Sequence, residues 1–97
     1  MIGVLVTFRY GNEFNETTVR KIAEGAQSKF VGMPGLHYKI FTLDTAAREA
    51  VNFYVWNSES EARSFFTDQL IARVTGLYGV KPELRYVQIA EVVANKG

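Results

Sequence analysis

The sequence predicts an α+β fold in the order β-α-β-β-α-β, with a four-stranded antiparallel sheet and both helices on one face. Three observations carry this. Four segments, Ile2–Tyr10, Leu36–Leu43, Glu49–Trp56 and Glu83–Val93, are rich in β-branched and aromatic residues. Two further segments repeat apolar residues at helical spacing and fall one between strands one and two, the other between strands three and four. Breakers such as Gly11-Asn12, Gly32, Pro34, Gly35 and Pro82 punctuate the boundaries.

Strand one, Ile2–Tyr10, places Ile2, Val4, Val6, Phe8 and Tyr10 on one face and Leu5, Thr7 and Arg9 on the other. Both faces are mostly apolar, so both are expected to be covered. Asn15 is a candidate N-cap, with Glu16 in the first turn. The helix that follows, about Glu16–Phe30, aligns Val19, Ile22, Ala23, Ala26 and Phe30. Leu36–Leu43 and Glu49–Trp56 lie close enough, across Asp44–Ala47, to form an antiparallel hairpin. Ser58 with Glu61 reads as a capping box opening helix two, about Glu59–Val74, which buries Ala62, Phe65, Phe66, Leu70 and Val74. Gly76–Gly79 is a loop, Glu83–Val93 is strand four, and Asn95–Gly97 is a frayed end. This order is the ferredoxin-like split βαβ arrangement.

Composition narrows the function. The chain has 97 residues, which is one domain (1–97), and 47% of them are hydrophobic against 22% charged. It has no cysteine, which excludes disulfides, thiol nucleophiles and Cys-based metal sites. A single histidine argues against a metal site, so none is expected. The net charge of +1 gives no electrostatic case for nucleic acid. The apolar run Ile2–Phe8 is too short to span a membrane, and no targeting segment is visible, so the expected compartment is the cytoplasm. No Gly-rich phosphate loop, Ser–His–Asp set or paired carboxylates stand out.

The sheet face away from the helices is also apolar. Strand three has Val51, Phe53 and Val55 on one side and Tyr54 and Trp56 on the other. Strand four alternates Leu84, Tyr86, Ala90 and Val92 with Val87, Ile89 and Val93. Such a face calls for a cover, and a two-fold homodimer packed sheet against sheet is the simplest. A monomer with a greasy sheet is the alternative.

Short motifs run along most of the chain: Pro34-Gly35-Leu36 with Lys39 and Thr42, then Tyr54, Ser60–Ala62, Ala72-Arg73 and Gly79-Val80. Together they resemble the dimeric α+β barrel superfamily, most closely the monooxygenase-like YdhR family. The resemblance implies a ligand between sheet and helices in each protomer. One branch of the superfamily, the anthrone monooxygenases of antibiotic biosynthesis, oxidises polyketide-like anthrones with molecular oxygen and without metal, flavin or haem. Other branches isomerise lactones or degrade haem, and some have no assigned reaction. In the anthrone branch an Asn and a Trp four residues apart on the third strand line the cavity. Asn52 and Trp56 match that spacing, and strand geometry puts Tyr54 on the same face. The branch also has a Tyr six residues after the Trp; Ala62 stands there in this chain.

The expected function is therefore cofactor-free oxygenation of a small apolar aromatic or polyketide-like molecule, with no cofactor implied. The alternatives are a non-catalytic ligand-binding dimer and a lactone isomerase on the same fold; in a haem degrader the sole His would have to be the axial ligand. Candidate catalytic residues are Asn52, a donor to a substrate oxyanion or oxygen, Trp56, a stacking surface with an indole N–H, and His37, a general base. Candidate substrate-binding residues are Tyr54, Tyr38, Phe65, Phe66 and Tyr86. The competing reading makes Asn52 a backbone-bonded strand residue, Trp56 a core or dimer anchor, His37 a half-exposed strand residue and Phe65–Phe66 core. The side taken by His37 depends on its neighbours: His37, Lys39 and Phe41 share one face of strand two, while Tyr38, Ile40 and Thr42 share the other.

Overall fold

A computed structural model describes residues 1–96. The strands are β1 (Ile2–Arg9), β2 (Leu36–Asp44), β3 (Glu49–Trp56) and β4 (Glu83–Gln88). They form one antiparallel sheet in the order β2-β3-β1-β4. The helices are α1 (Glu16–Ala26), α2 (Glu59–Phe65) and α3 (Asp68–Tyr78). This is the expected ferredoxin-like α+β fold, with three helices where two were expected.

The caps act where the sequence places them. The Asn15 side chain accepts the Thr18 N–H, and the Ser58 hydroxyl accepts the Glu61 N–H. α1 tightens into a 3-10 turn at Gln27–Phe30, as helix ends commonly do. Helix two breaks at Phe66, whose ψ of 64° leaves the helix, and Thr67 restarts it by accepting the Leu70 N–H at 3.1 Å. α3 then runs through Leu77 and Tyr78, residues expected in a loop, and Gly79 ends it at φ +89°. β4 ends at Gln88 instead of Val93 because its only neighbour, β1, starts opposite it at Ile2. Beyond that pair only the Ile89 N–H bonds back, to the Met1 carbonyl at 3.2 Å.

Register builds the core as rows across the sheet. On the helix side Leu36, Trp56 and Ile2 align, then Lys39, Tyr54, Val4 and Tyr86, then Phe41, Asn52, Val6 and Leu84. The first two rows step by three residues in β2 because the ladder is irregular between Leu36 and Tyr38. One extra residue there exchanges the two faces of the strand. Lys39 and Phe41 therefore join Leu36 against the helices, and Tyr38 and Ile40 face outward.

The outer face carries Tyr38, Val55, Gly3 and Val87 in one row and Ile40, Phe53, Leu5 and Arg85 in the next. Phe53, Val87 and Ile89 close over Gly3, where a Cβ would meet each at 3.0–3.1 Å. Tyr38 and Ile40 remain 48% and 50% exposed. Among the described residues no helix is long and apolar enough to cross a membrane.

Candidate functional site

Sheet and helices enclose a cavity of about 190 Å³. Its floor is the helix side of the sheet: Val6, Phe8, Lys39, Phe41, Asn52 and Tyr54. Phe30 and Met33 from the α1–β2 connection, Phe65 and Phe66 from α2, and Leu70, Ile71, Val74, Leu77 and Tyr78 from α3 form the walls. Lys29, Arg73 and Leu77 are exposed and mark the opening. A cavity of about 150 Å³ holds a benzene, so this one suits one or two fused rings.

Asn52 sits at the centre of the floor, 4% exposed. Its side-chain N–H donates to the Tyr78 hydroxyl at 2.9 Å. Tyr78 reaches the sheet from the last turn of α3 and stacks on Phe8 at 3.8 Å between centroids, 9° from parallel. That hydroxyl accepts from Asn52 and keeps its own proton to donate. Burial raises the Tyr78 pKa, and the Asn52 hydrogen bond opposes the rise. Burial also raises the Tyr54 phenol. Both tyrosines are thus neutral donors at ordinary pH.

Lys39 is the unusual group. Its ammonium lies 3.8 Å from the Tyr54 ring centroid, 4.1 Å from Phe41 and 4.6 Å from Phe30. Burial lowers its pKa to about 7. Neither it nor Tyr78 was among the residues picked from the sequence. The signal for Lys39 was a cation on an alternating strand opposite two outward apolar residues, obscured by the irregular register at His37. Tyr78 was obscured because its segment read as a loop.

The remaining candidates separate. Asn52, Tyr54, Phe65 and Phe66 line the cavity. Trp56 is 2% exposed and lies outside its lining, stacked parallel to Tyr54 at 6.3 Å and against Phe65 at 5.1 Å. Its indole N–H is buried without a partner, as is the Tyr10 hydroxyl. Tyr86 packs beside Phe66 under the Arg63 guanidinium, which lies 4.2 Å from its ring, and also stands outside the cavity. Tyr38 lies on the opposite face of the sheet, so it makes no wall of the cavity. His37 is exposed, bonded to Asn57 and directed to an outer groove shared with Glu24 and Lys39. Among the described residues no group of three or more His, Asp or Glu side chains gathers as a metal site.

No protein-family model matches the chain, and no curated protein matches it. Solved structures do. A monooxygenase from the gene ActVA-Orf6 of Streptomyces coelicolor, in complex with nanaomycin D, superposes with a TM-score of 0.70 at 21% identity, over 98% of this chain and 92% of that one. SnoaB, a cofactor-independent oxygenase from Streptomyces nogalater, superposes at 0.67 with 11% identity, over 97% of each chain. A protein of unknown function from Nitrosomonas europaea gives 0.72 at 10% identity, over 99% of this chain and 95% of that one. The chain thus shares the fold of antibiotic-biosynthesis monooxygenases, and fold alone does not assign a reaction.

Proposed function

We propose that the protein is a cofactor-independent monooxygenase for a small aromatic molecule held between sheet and helices. The observation that carries this is the Asn52–Tyr78 hydrogen bond at the floor of a cavity lined mostly by aromatic and aliphatic side chains. It supplies fixed polar donors where an apolar substrate's oxygen would lie. The fold shared with the Streptomyces coelicolor monooxygenase and with SnoaB supports the same reading.

In this reading the substrate gives a proton to solvent and becomes a carbanion or phenolate, which Asn52 and Tyr78 stabilise by donating to its oxygen; the proton returns in the water formed. The anion itself reduces molecular oxygen. A methylene and O2 become a carbonyl and water, so the substrate supplies the electrons. Phe65, Phe66 and Tyr54 hold the ring, and Trp56 backs Tyr54 and Phe65 from outside the cavity. We place the chain with the YdhR-like branch on its Pro34-Gly35-Leu36, Ser60–Ala62 and Gly79-Val80 motifs. The outer face, with Ile40 and Tyr38 half exposed, is assigned to a second copy, because that face is apolar at its centre.

The test is oxygen uptake with a panel of anthrones and naphthols. Uptake that stops under nitrogen and falls by about 100-fold or more in Asn52→Ala is the expected result, the loss that follows from removing one fixed donor. Turnover unchanged in Asn52→Ala overturns the assignment. A non-catalytic binding protein is the second reading, favoured by the position of Trp56 behind the cavity wall. A base such as His37 inside the cavity would favour the lactone-isomerase alternative, and His37 itself lies outside the lining.

A further inference from the structure

The titratable side chains that line the cavity are Lys29, Lys39, Arg73, Tyr54 and Tyr78, with no carboxylate among them. The chain as a whole is nearly balanced, at +1. Its basic excess is therefore a property of this cavity and not of the surface at large. Arg9, Arg20 and Arg63 all have carboxylate partners, while Lys39 makes no ion pair among the described residues. Glu24 and His37 share the outer groove with Lys39 without forming an ion pair to it. The rings of Phe30, Phe41 and Tyr54 compensate a cation only partly. A partly buried ammonium wants a full counter-charge, and of the two spaces that Lys39 lines, the outer groove already holds Glu24 while the ligand cavity holds no carboxylate.

We propose that the cavity takes an aromatic monoanion, a one- or two-ring carboxylate or phenolate, whose charge pairs with Lys39. Lys29 and Arg73, at the opening, draw it in. The inference rests on the preceding reading of the cavity as a ligand site and names the class of ligand. An acidic ligand that arrives neutral transfers its proton from oxygen to the Lys39 nitrogen and reaches the same ion pair. Lys39 is then a specificity-determining contact.

The experiment compares 2-naphthoate with its neutral isostere 2-naphthamide by titration calorimetry at pH 8. The proteins are the wild type, Lys39→Met and Lys39→Arg. The wild type should prefer the carboxylate by about tenfold or more, the equivalent of one charge-assisted contact. Binding of naphthoate should also take up a proton, seen as a heat that changes with the buffer. Lys39→Met should lose both the preference and the proton uptake while still binding naphthamide. Lys39→Arg should keep the preference. Equal affinity for both ligands in the wild type overturns the ion pair and leaves the cavity as a ligand site. Preference unchanged in Lys39→Met assigns the charge to Lys29 or Arg73 and overturns the role of Lys39. No binding of either ligand at millimolar concentration overturns both this inference and the cavity reading.

Discussion

Replacing Lys39 by Met should stabilise the empty protein, and the gain should depend on pH. The folded protein holds the amine near 7, against 10.5 in an unfolded chain. A fall of that size corresponds to about 5 kcal/mol. Lys39 is only partly buried, so solvent screening brings the expected figure to about 2–4 kcal/mol. Below pH 7 both states carry the ammonium, and folding bears the full cost of enclosing it. Between pH 7 and 10.5 the unfolded chain binds more protons than the folded one, so stability rises with pH. Above 10.5 both hold the neutral amine and the cost is gone. The groups facing Lys39 are the rings of Phe30, Phe41 and Tyr54, with Lys29, Arg73 and Tyr78 in the cavity and Glu24 and His37 in the outer groove. They are common to both proteins, so the difference between variant and wild type isolates Lys39. Thermal or urea unfolding at pH 6, 8 and 10.5 reads it. A gain of about 2 kcal/mol at pH 6 is about 8–16 °C in melting temperature. That gain should shrink steadily and reach its minimum by pH 10.5. A difference that is the same at every pH would show that packing, not charge, separates the two proteins, and would refute the reasoning.

Three other outcomes are expected. Asn52→Ala should lose about 1–3 kcal/mol in urea unfolding, because it strips a hydrogen bond from a buried site; the Tyr78 phenol should titrate higher still, readable by tyrosinate absorbance, and an unmoved titration would contradict the assigned bond. Gly35→Ala should be destabilised mainly by its φ of +81°, with a smaller share from a Cβ that crowds the Glu61 carboxylate, the movable end of an exposed side chain. Adding Glu61→Ala should recover only the clash and leave about 1–2 kcal/mol of backbone strain; full recovery would show that the backbone conformation costs nothing. Under the proposed pairing of two copies, the wild type should sediment as a dimer in analytical ultracentrifugation and Ile40→Glu as a monomer; a wild-type monomer, or a dimer that survives in the variant, would overturn the assignment of that face.

The sequence revealed the fold through signals that are local and redundant. β3 runs Glu49–Trp56 as expected, and Asn15 and Ser58 cap their helices, because each is set by residues within one turn. What stayed hidden depended on single events in the backbone. Apolar residues recur from Ala62 to Val74 without interruption, yet Thr67 accepts the Leu70 N–H and restarts the helix. Alternation along Leu36–Leu43 is regular in the sequence, yet the irregularity before Tyr38 inverts which residues face in. Of the β2 residues, the candidates Tyr38 and His37 miss the cavity, and Lys39, which was not a candidate, lines it. On β3 no such shift occurs, and Asn52 and Tyr54 line the cavity together. Spacing also put Trp56 on the inner face, but Phe65 stands between it and the open space, a fact of tertiary packing that no spacing encodes.

The break at Phe66 has a consequence for how such a chain can diversify. Phe65 and Phe66, about 100° apart at the end of α2, both reach Tyr54, at 5.9 and 4.9 Å, and the backbone leaves the helix just after them. α3 then starts from its own Thr67 cap as a separate cover over the sheet, tied to it through Tyr78. Strand register and the Asn52 floor are inherited from the sheet; chamber size and shape are inherited from the cover. Substitutions at Leu70, Ile71, Val74 or Leu77 therefore alter what the chamber admits while leaving the sheet untouched, so selection for a new guest need not renegotiate the fold.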